Sequence, residues 1–215
     1  SDYQIIDITT QNSKQIITLK LPNQETTLIS SSMLGKYNAE NIVAAWIIGH
    51  INNIENTSLA TAITNFKGIK RRCEHIGTLK KSDYTVPIID DYGHHPTECL
   101  SVLNEYKRQE KKIIYIFQPH KFSRLSLFFN EFVDALAISD VLMVMDVYSA
   151  GEQQLDHKNS KDLVSAIKRK KSDVFHISSN EEILAITDQF INNNSVVLFQ
   201  GAGDISLKAH NCVKL

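Results

Sequence analysis

Several protein classes are ruled out by what the sequence has little of. Only three cysteines occur in 215 residues, Cys73, Cys99 and Cys212, and they share no paired spacing. An odd, scattered set argues against a disulfide framework and suits reduced thiols in a cytoplasm, where three small core residues is the plain reading. Excess positive charge is missing too. The 23 Lys and Arg against 24 Asp and Glu give a net charge of −1, so no overall basic field points to nucleic acid. The longest apolar runs are strand-sized, well short of the roughly 20 residues of a spanning helix, and no membrane partner is expected. Internal repeats and low-complexity stretches are absent, and so is any Gly-x-x-x-x-Gly-Lys-Ser/Thr phosphate loop. The chain opens at Ser1 directly in strand-like sequence, Tyr3-Gln4-Ile5-Ile6-Asp7-Ile8, and reads as a piece cut from a longer protein.

What remains is an ordinary globular composition, 42% hydrophobic and 22% charged, which excludes a disordered chain. Two halves read differently. Residues 3–9, 15–21 and 26–30 are β-rich runs separated by turn residues such as Asn12-Ser13 and Pro22-Asn23, the pattern of a meander. A helix is predicted from Asn38 to about Ile51, with Ile42, Ala45, Trp46 and Gly49 on one face, and a shorter one over 58–66. The basic link Lys67-Gly68-Ile69-Lys70-Arg71-Arg72 is the candidate boundary, giving domains 1–70 and 71–215. Beyond it strands near 84–90, 112–117, 140–145, 173–177 and 195–199 alternate with helices near 96–109, 123–137, 160–170 and 180–191. Such alternation predicts an α/β fold, a Rossmann-like doubly wound and mainly parallel sheet with right-handed crossovers.

The most informative segment is Asp90-Asp91-Tyr92-Gly93-His94-His95-Pro96-Thr97-Glu98. It follows the apolar run Thr85–Ile89 and leads into a helix at Pro96, where a missing N–H costs nothing. Open α/β sheets bind their ligands at the carboxyl ends of strands, which is where this cluster falls. Three other strand ends carry polar groups: Gln118-Pro119-His120-Lys121-Phe122-Ser123-Arg124, Asp146-Val147-Tyr148-Ser149-Ala150-Gly151-Glu152, and Gln200-Gly201-Ala202-Gly203-Asp204. In a parallel sheet these loops share one edge and one crevice.

There Lys121 and Arg124 offer fixed positive charge for a carboxylate or phosphate, one as a point charge and one as a planar fork. His94, His95 and His120 have intrinsic pKa values near neutrality and exchange protons or orient an amine. Against this stands the plain reading of a solvated basic turn at a helix start. A metal site on Asp90, Asp91, His94, His95 and His120 is the other chemical reading, but adjacent imidazoles usually point apart and no metal spacing supports it. Gly201-x-Gly203 lacks the third glycine of a dinucleotide fingerprint. In the first half, Asn38 and Asn41 lie three apart at a helix start, each amide offering a donor and an acceptor that suit the edge of adenine; otherwise Asn38 is a helix cap and Asn41 a surface residue. Arg71-Arg72 reads as a phosphate contact or a charged linker.

Taken together, Gly35–Ala45, Arg71-Arg72, Asp90–Glu98, Gln118–Arg124, Asp146–Glu152 and Gly201–Asp204 resemble the Mur ligases, ATP-dependent peptide-bond-forming enzymes of bacterial cell-wall synthesis. The resemblance covers nearly the whole chain and is closest to the member that joins L-alanine to UDP-N-acetylmuramate. It implies the C-terminal portion of a central ATP-binding domain followed by the complete C-terminal ligase domain, with ATP and Mg2+ held mainly by parts outside this chain. Without the phosphate loop, the chain alone is expected to be inactive. The resemblance also implies roles: Asn38 and Asn41 toward adenine, Arg72 toward the nucleotide phosphates, and Asp91 toward the ribose hydroxyls. Tyr92, His94, His120, Lys121 and Arg124 would line the amino-acid side, with His94 and His120 catalytic. Three positions depart from the family pattern, which usually has His at Tyr37, Phe at Cys73 and Arg at Lys121. A second member, acting on murein tripeptide in peptidoglycan recycling, shares the Asp-Asp-aromatic-x-His-His-Pro-Thr run but typically has Glu-Pro-Arg in place of Gln118-Pro119-His120. A nucleotide-fold binding module without chemistry is the remaining alternative.

Overall fold

The computed structural model describes residues 2–12, 14–154 and 158–213. Two compact units divide the chain, Ser1–Ile69 and Lys70–Leu215.

In the first unit, β1 (Gln4–Gln11), β2 (Lys14–Lys20) and β3 (Thr26–Ser31) form an antiparallel sheet in the order β1-β2-β3. Strict alternation in β2 turns Ile17 and Leu19 inward, where they meet Ile29 of β3. Helix α1 (Lys36–Ile51) covers that face with Ala39, Ile42, Val43, Trp46 and Gly49, and α2 (Asn56–Asn65) packs beside it. Gly49 permits the approach of the two helices, because a Cβ there would lie 2.3 Å from Leu59 Cδ2. The helix differs from the sequence expectation in two respects. It starts at Lys36 behind Gly35, whose φ of 99° only glycine adopts at no cost, so Asn38 is not its cap. Ala45 is exposed and Val43 is buried instead, because the buried stripe follows positions 39, 42, 43, 46 and 49.

The second unit holds β4 (Glu74–Lys80), β5 (Thr85–Asp91), α3 (Pro96–Arg108), β6 (Lys112–Phe117), α4 (Phe122–Leu127), α5 (Phe129–Leu136), β7 (Val141–Met145), α6 (Ser160–Ile167), β8 (Val174–Ile177), α7 (Asn180–Phe190), β9 (Ser195–Gln200) and α8 (Ile205–Val213). Its six-stranded sheet runs β4-β5-β9-β6-β7-β8, parallel except for β4, which pairs antiparallel with β5 at the edge. Alternate side chains of each strand feed two cores. Tyr115, Phe117, Leu142 and Leu198 meet Leu103 of α3, Phe132 and Leu136 of α5, and Leu163 of α6. Ile114, Ile116, Met143 and Phe199 meet Ile183 of α7 and Ile205 and Ala209 of α8. Strands buried on both faces explain the near-continuous apolar runs, and the sheet is doubly wound as the alternation predicts. Three details differ from the sequence expectation: β4, α8, and a break at Phe128 that splits the helix expected over 123–137 into α4 and α5.

Candidate active site

Because β5 to β9 are parallel, Asp91, Phe117, Met145, Ile177 and Gln200 all end at one edge. The two carboxylates there are turned inward. Asp91 is 4% exposed. Its Oδ1 accepts from the Gly93 amide at 2.8 Å and from Gln200 Nε2 at 2.5 Å, and its Oδ2 accepts from the Cys73 amide at 2.9 Å. Gln200 is oriented in turn by the Tyr115 hydroxyl, which donates to its Oε1. Gly93 has to be glycine, since a Cβ would stand 2.2 Å from Gln200 Nε2 and 2.7 Å from Asp91 Oδ1. Asp90 is fully buried; Ser206 Oγ donates to its Oδ2, and Arg71 Nε lies 3.8 Å away. Burial pushes the Asp90 carboxyl above its ordinary pKa, with the Ser206 hydroxyl and the Arg71 charge opposing it.

Arg71 and Arg72 are part of this edge and not a linker. Both flanking turns use left-handed backbone, φ 58° at Arg71 and 48° at Cys73. Arg71 Nη2 donates to the Gly201 carbonyl at 2.6 Å, and its guanidinium lies 4.8 Å from the Tyr92 ring centre. Arg72 lies 5.6 Å from the same ring and 3.6 Å from Glu98 Oε1. Two cations lie close to one aromatic ring, and Tyr92, itself 36% exposed, stands at the rim.

The adjacent histidines part company. His95 caps α3, its Nδ1 accepting from the Thr97 amide at 3.3 Å, and its ring meets Phe128 edge-on at 4.5 Å. Glu98 completes the cap by accepting from the His94 and His95 amides at 2.9 and 3.0 Å. Partial burial works to raise the Glu98 pKa, but those amides, His94 and Arg72 outweigh it and hold the carboxyl below its ordinary value. His94 faces the other way, 5.3 Å from Tyr92 and 5.6 Å from His120 between ring centres. Among the described residues no group of three or more His, Cys, Asp and Glu side chains is placed to hold a metal ion.

After β6, Gln118 seats the start of α8, accepting from the Ile205 amide at 3.1 Å and donating to Asp204 at 2.6 Å. His120 lies beside Arg124, whose Nη1 is 3.3 Å from His120 Nδ1. An arginine only donates, so Nδ1 is the acceptor and the neutral ring carries its proton on Nε2. Burial first, then His94, Arg124 and Lys121, push the His120 pKa below its ordinary value, with Glu152 acting in the opposite direction. The Lys121 charge acts on both His120 and Glu152. Glu152 of the β7 loop ties the start of α4 by accepting from Ser123 N at 3.0 Å and Ser123 Oγ at 2.6 Å.

The structure thus brings Tyr92, His94, His120 and Arg124 into one chain of contacts, with Lys121 next to it and Arg72 on the far side of Tyr92. It gives the two asparagines of α1 different surroundings. Asn38 is 8% exposed with its Nδ2 donating to Leu34 O at 2.8 Å, whereas Asn41 is exposed. Three residues advance about 300° round a helix, a net offset of about 60°, so the two remain neighbours while packing covers Asn38 and leaves Asn41 open. Asp91, which the resemblance assigns to the ribose hydroxyls, already accepts from Gly93, Gln200 and Cys73. The supports Gln200, Tyr115 and Glu98 are not evident from the sequence as such; Gln200 at the end of an apolar run is the one readable signal.

A doubly wound domain with a basic, imidazole-rich crevice at its carboxyl edge defines an α/β ligand-binding or catalytic class. The particular family follows from comparison: the model described as Mur ligase, glutamate ligase domain, matches residues 71–203, and the chain belongs to the Mur ligase family. A curated relative from Ruthia magnifica subsp. Calyptogena magnifica, UDP-N-acetylmuramate–L-alanine ligase, is 37% identical over 182 residues, covering 83% of this chain and 39% of the relative. Among solved structures, UDP-N-acetylmuramate–alanine ligase from Thermotoga maritima superposes with a TM-score of 0.79 at 22% identity, covering 99% of this chain and 45% of that one. A MurF ligase from Thermotoga maritima in complex with ADP gives 0.66 at 16% identity, covering 98% and 45%. At those identities the structures establish the fold. The chain spans 39% to 45% of the length of the curated relatives it matches. No helix among the described residues is long and apolar enough to cross a membrane.

Proposed function

We propose that this chain is the amino-acid-accepting end of an ATP-dependent ligase that joins L-alanine to UDP-N-acetylmuramate in peptidoglycan synthesis. The observation that carries the reading is the meeting of His94, His120 and Arg124 at the carboxyl edge, with Lys121 next in sequence to His120. Two fixed cations hold the alanine carboxylate while its amine stays free. The muramoyl carboxylate is activated by ATP as an acyl phosphate, the amine attacks its carbonyl, and phosphate leaves. His120, kept neutral by its surroundings, or His94 orients the amine or takes its proton. Tyr92 walls the same space. Arg72 faces the nucleotide phosphates, Asn41 with the remaining acceptor of Asn38 serves adenine, and residues 1–70 are the end of the central ATP-binding domain. Asp91, already surrounded by donors, contributes to the ribose side by fixing the Arg72–Cys73 turn and the Tyr92–Gly93 loop. Mg2+ would accompany ATP, but the described residues offer it no cluster of ligands.

The recycling reading, with murein tripeptide as substrate, is disfavoured by Gln118-Pro119-His120 and by Ala150-Gly151-Glu152. Phosphate release in the presence of ATP, UDP-N-acetylmuramate and L-alanine tests the proposal. The longer enzyme should turn over only with L-alanine present, and the 215-residue chain, having no phosphate loop, should not turn over at all. Turnover with murein tripeptide and not with L-alanine would refute it.

A further inference from the structure

We propose that Tyr148 is a positioning residue for His120: its ring backs the imidazole and fixes the face that His120 presents to His94 and the crevice. The inference rests on the reading of His120 as an acceptor-site group. Tyr148 belongs to the β7 loop and has no role of its own in the proposed function. Its ring lies nearly parallel to that of His120, with centres 5.6 Å apart and planes 14° apart, while His94 approaches from another side at 5.6 Å and 50°. Rotation of the imidazole is therefore limited by rings on two sides and by Arg124 at Nδ1.

Three observations separate this contact from ordinary packing. The loops are already joined through their backbones, Tyr148 N donating to Pro119 O at 2.8 Å and Lys121 N to Tyr148 O at 2.9 Å, so the ring is not needed to hold them together. The Tyr148 hydroxyl has no hydrogen-bond partner among the described residues and the side chain is 41% exposed, so neither a polar tie nor core burial accounts for an aromatic here. Against the ring lies Gly203, where a Cβ would be 2.6 Å from Tyr148 Cγ; no larger residue fits without displacing the ring from its seat. A planar group seated against a glycine and stacked alongside an imidazole sets orientation.

The groups facing His120 are His94 from the β5 loop, Lys121 and Arg124 at the start of α4, Glu152 from the β7 loop, and the Tyr148 ring itself. The test is a proton NMR titration of the His120 imidazole in the 215-residue chain, with Tyr148→Phe and Tyr148→Ala, and His75 on β4 as internal control. Tyr148→Phe should keep the His120 shifts and midpoint. Tyr148→Ala should remove the ring-current shift and move the midpoint upward toward its ordinary value, leaving His75 unchanged. If Tyr148→Ala does not fold, Tyr148→Leu, apolar but not planar, is read in the same way. An unchanged His120 in the folded Ala or Leu variant overturns the proposal, and so does a Phe variant that behaves like Ala, because the hydroxyl would then be the working part. In the longer enzyme, Tyr148→Ala should raise the KM for L-alanine roughly ten- to hundredfold with that for ATP unchanged. A shifted His120 with unaltered alanine kinetics keeps the positioning role and overturns the assignment of His120 to the acceptor site.

Discussion

The loops that follow β5 and β6 meet at the same edge and are built on opposite plans. In the β5 loop the charged groups are acids, and each is tied down: Asp91 by Gly93, Gln200 and Cys73, Asp90 by Ser206, and Glu98 by two amides. In the β6 loop the charged groups are bases with few ties, Arg124 meeting His120 and Lys121 acting on Glu152 through its charge. The acids therefore hold the edge in shape, and the bases are left with fewer protein contacts. Carboxylates in a crevice are readily taken for catalysts, but donors converging on a buried oxygen mark scaffolding.

The sharpest break of that comparison is Asp91→Ala against Lys121→Ala in denaturant unfolding of the chain. Removing the Asp91 carboxylate strands the amides of Cys73 and Gly93 and the Gln200 side chain. At roughly 1–3 kcal/mol for each unsatisfied buried group, the loss should be about 3 kcal/mol or more. Lys121→Ala should change stability by less than about 0.5 kcal/mol. Equal losses would dissolve the distinction. In the longer enzyme Asp91→Ala should also raise the KM for ATP, through the displaced Arg72 turn.

Gly93→Ala comes next. Its Cβ would enter the space between Gln200 Nε2 and Asp91 Oδ1, and overpacking of this kind costs about 1–3 kcal/mol. Gly151, in the β7 loop, has φ 88° but open space around it, so its substitution carries only the backbone cost of about 1 kcal/mol. A melting experiment on the two variants should rank them in that order.

Much of this division was hidden in the sequence for identifiable reasons. Strands β5 to β9 were legible because burial on both faces makes each an apolar run. β4 was not, because an edge strand reading Glu74-His75-Ile76-Gly77-Thr78-Leu79-Lys80 is only half-buried and forms no such run. In α8 the apolar residues Ile205, Ala209 and Cys212 do carry a helical spacing, but they follow a glycine-containing loop and number only three. The crevice itself could be placed, since strand ends in a parallel sheet must share an edge. Whether Asp91 faced it could not, because one of its donors, Gln200, lies 109 residues away. Asn38 and Asn41 show the converse limit: spacing puts two residues near each other on a helix, while tertiary packing decides which of them is covered.

On the basic side, Arg124→Ala in the longer enzyme should raise the KM for L-alanine by roughly ten- to hundredfold, the worth of a charge-assisted hydrogen bond of about 1.5–3 kcal/mol. The values for ATP and UDP-N-acetylmuramate should stay near those of the parent. Loss of ATP affinity instead would move Arg124 to the nucleotide side.

The smallest effect, and the finest test of the comparison, is in acid. His120 has a folded pKa below its ordinary 6.5, so an unfolded chain takes up that proton first. Its contribution is complete above 6.5 and is lost as pH falls from there through the folded value. Glu98, also lowered, behaves alike in a different window: its contribution is complete above 4.5 and is lost as pH falls from there through its own folded value. The base of one loop and the acid of the other should therefore weaken the fold in succession on acidification. Unfolding free energies measured along a pH series should show the upper step vanish in His120→Phe and the lower one in Glu98→Gln. Loss of both steps in either variant would mean that the two loops titrate as one unit and that the division between scaffold and reactive face is false.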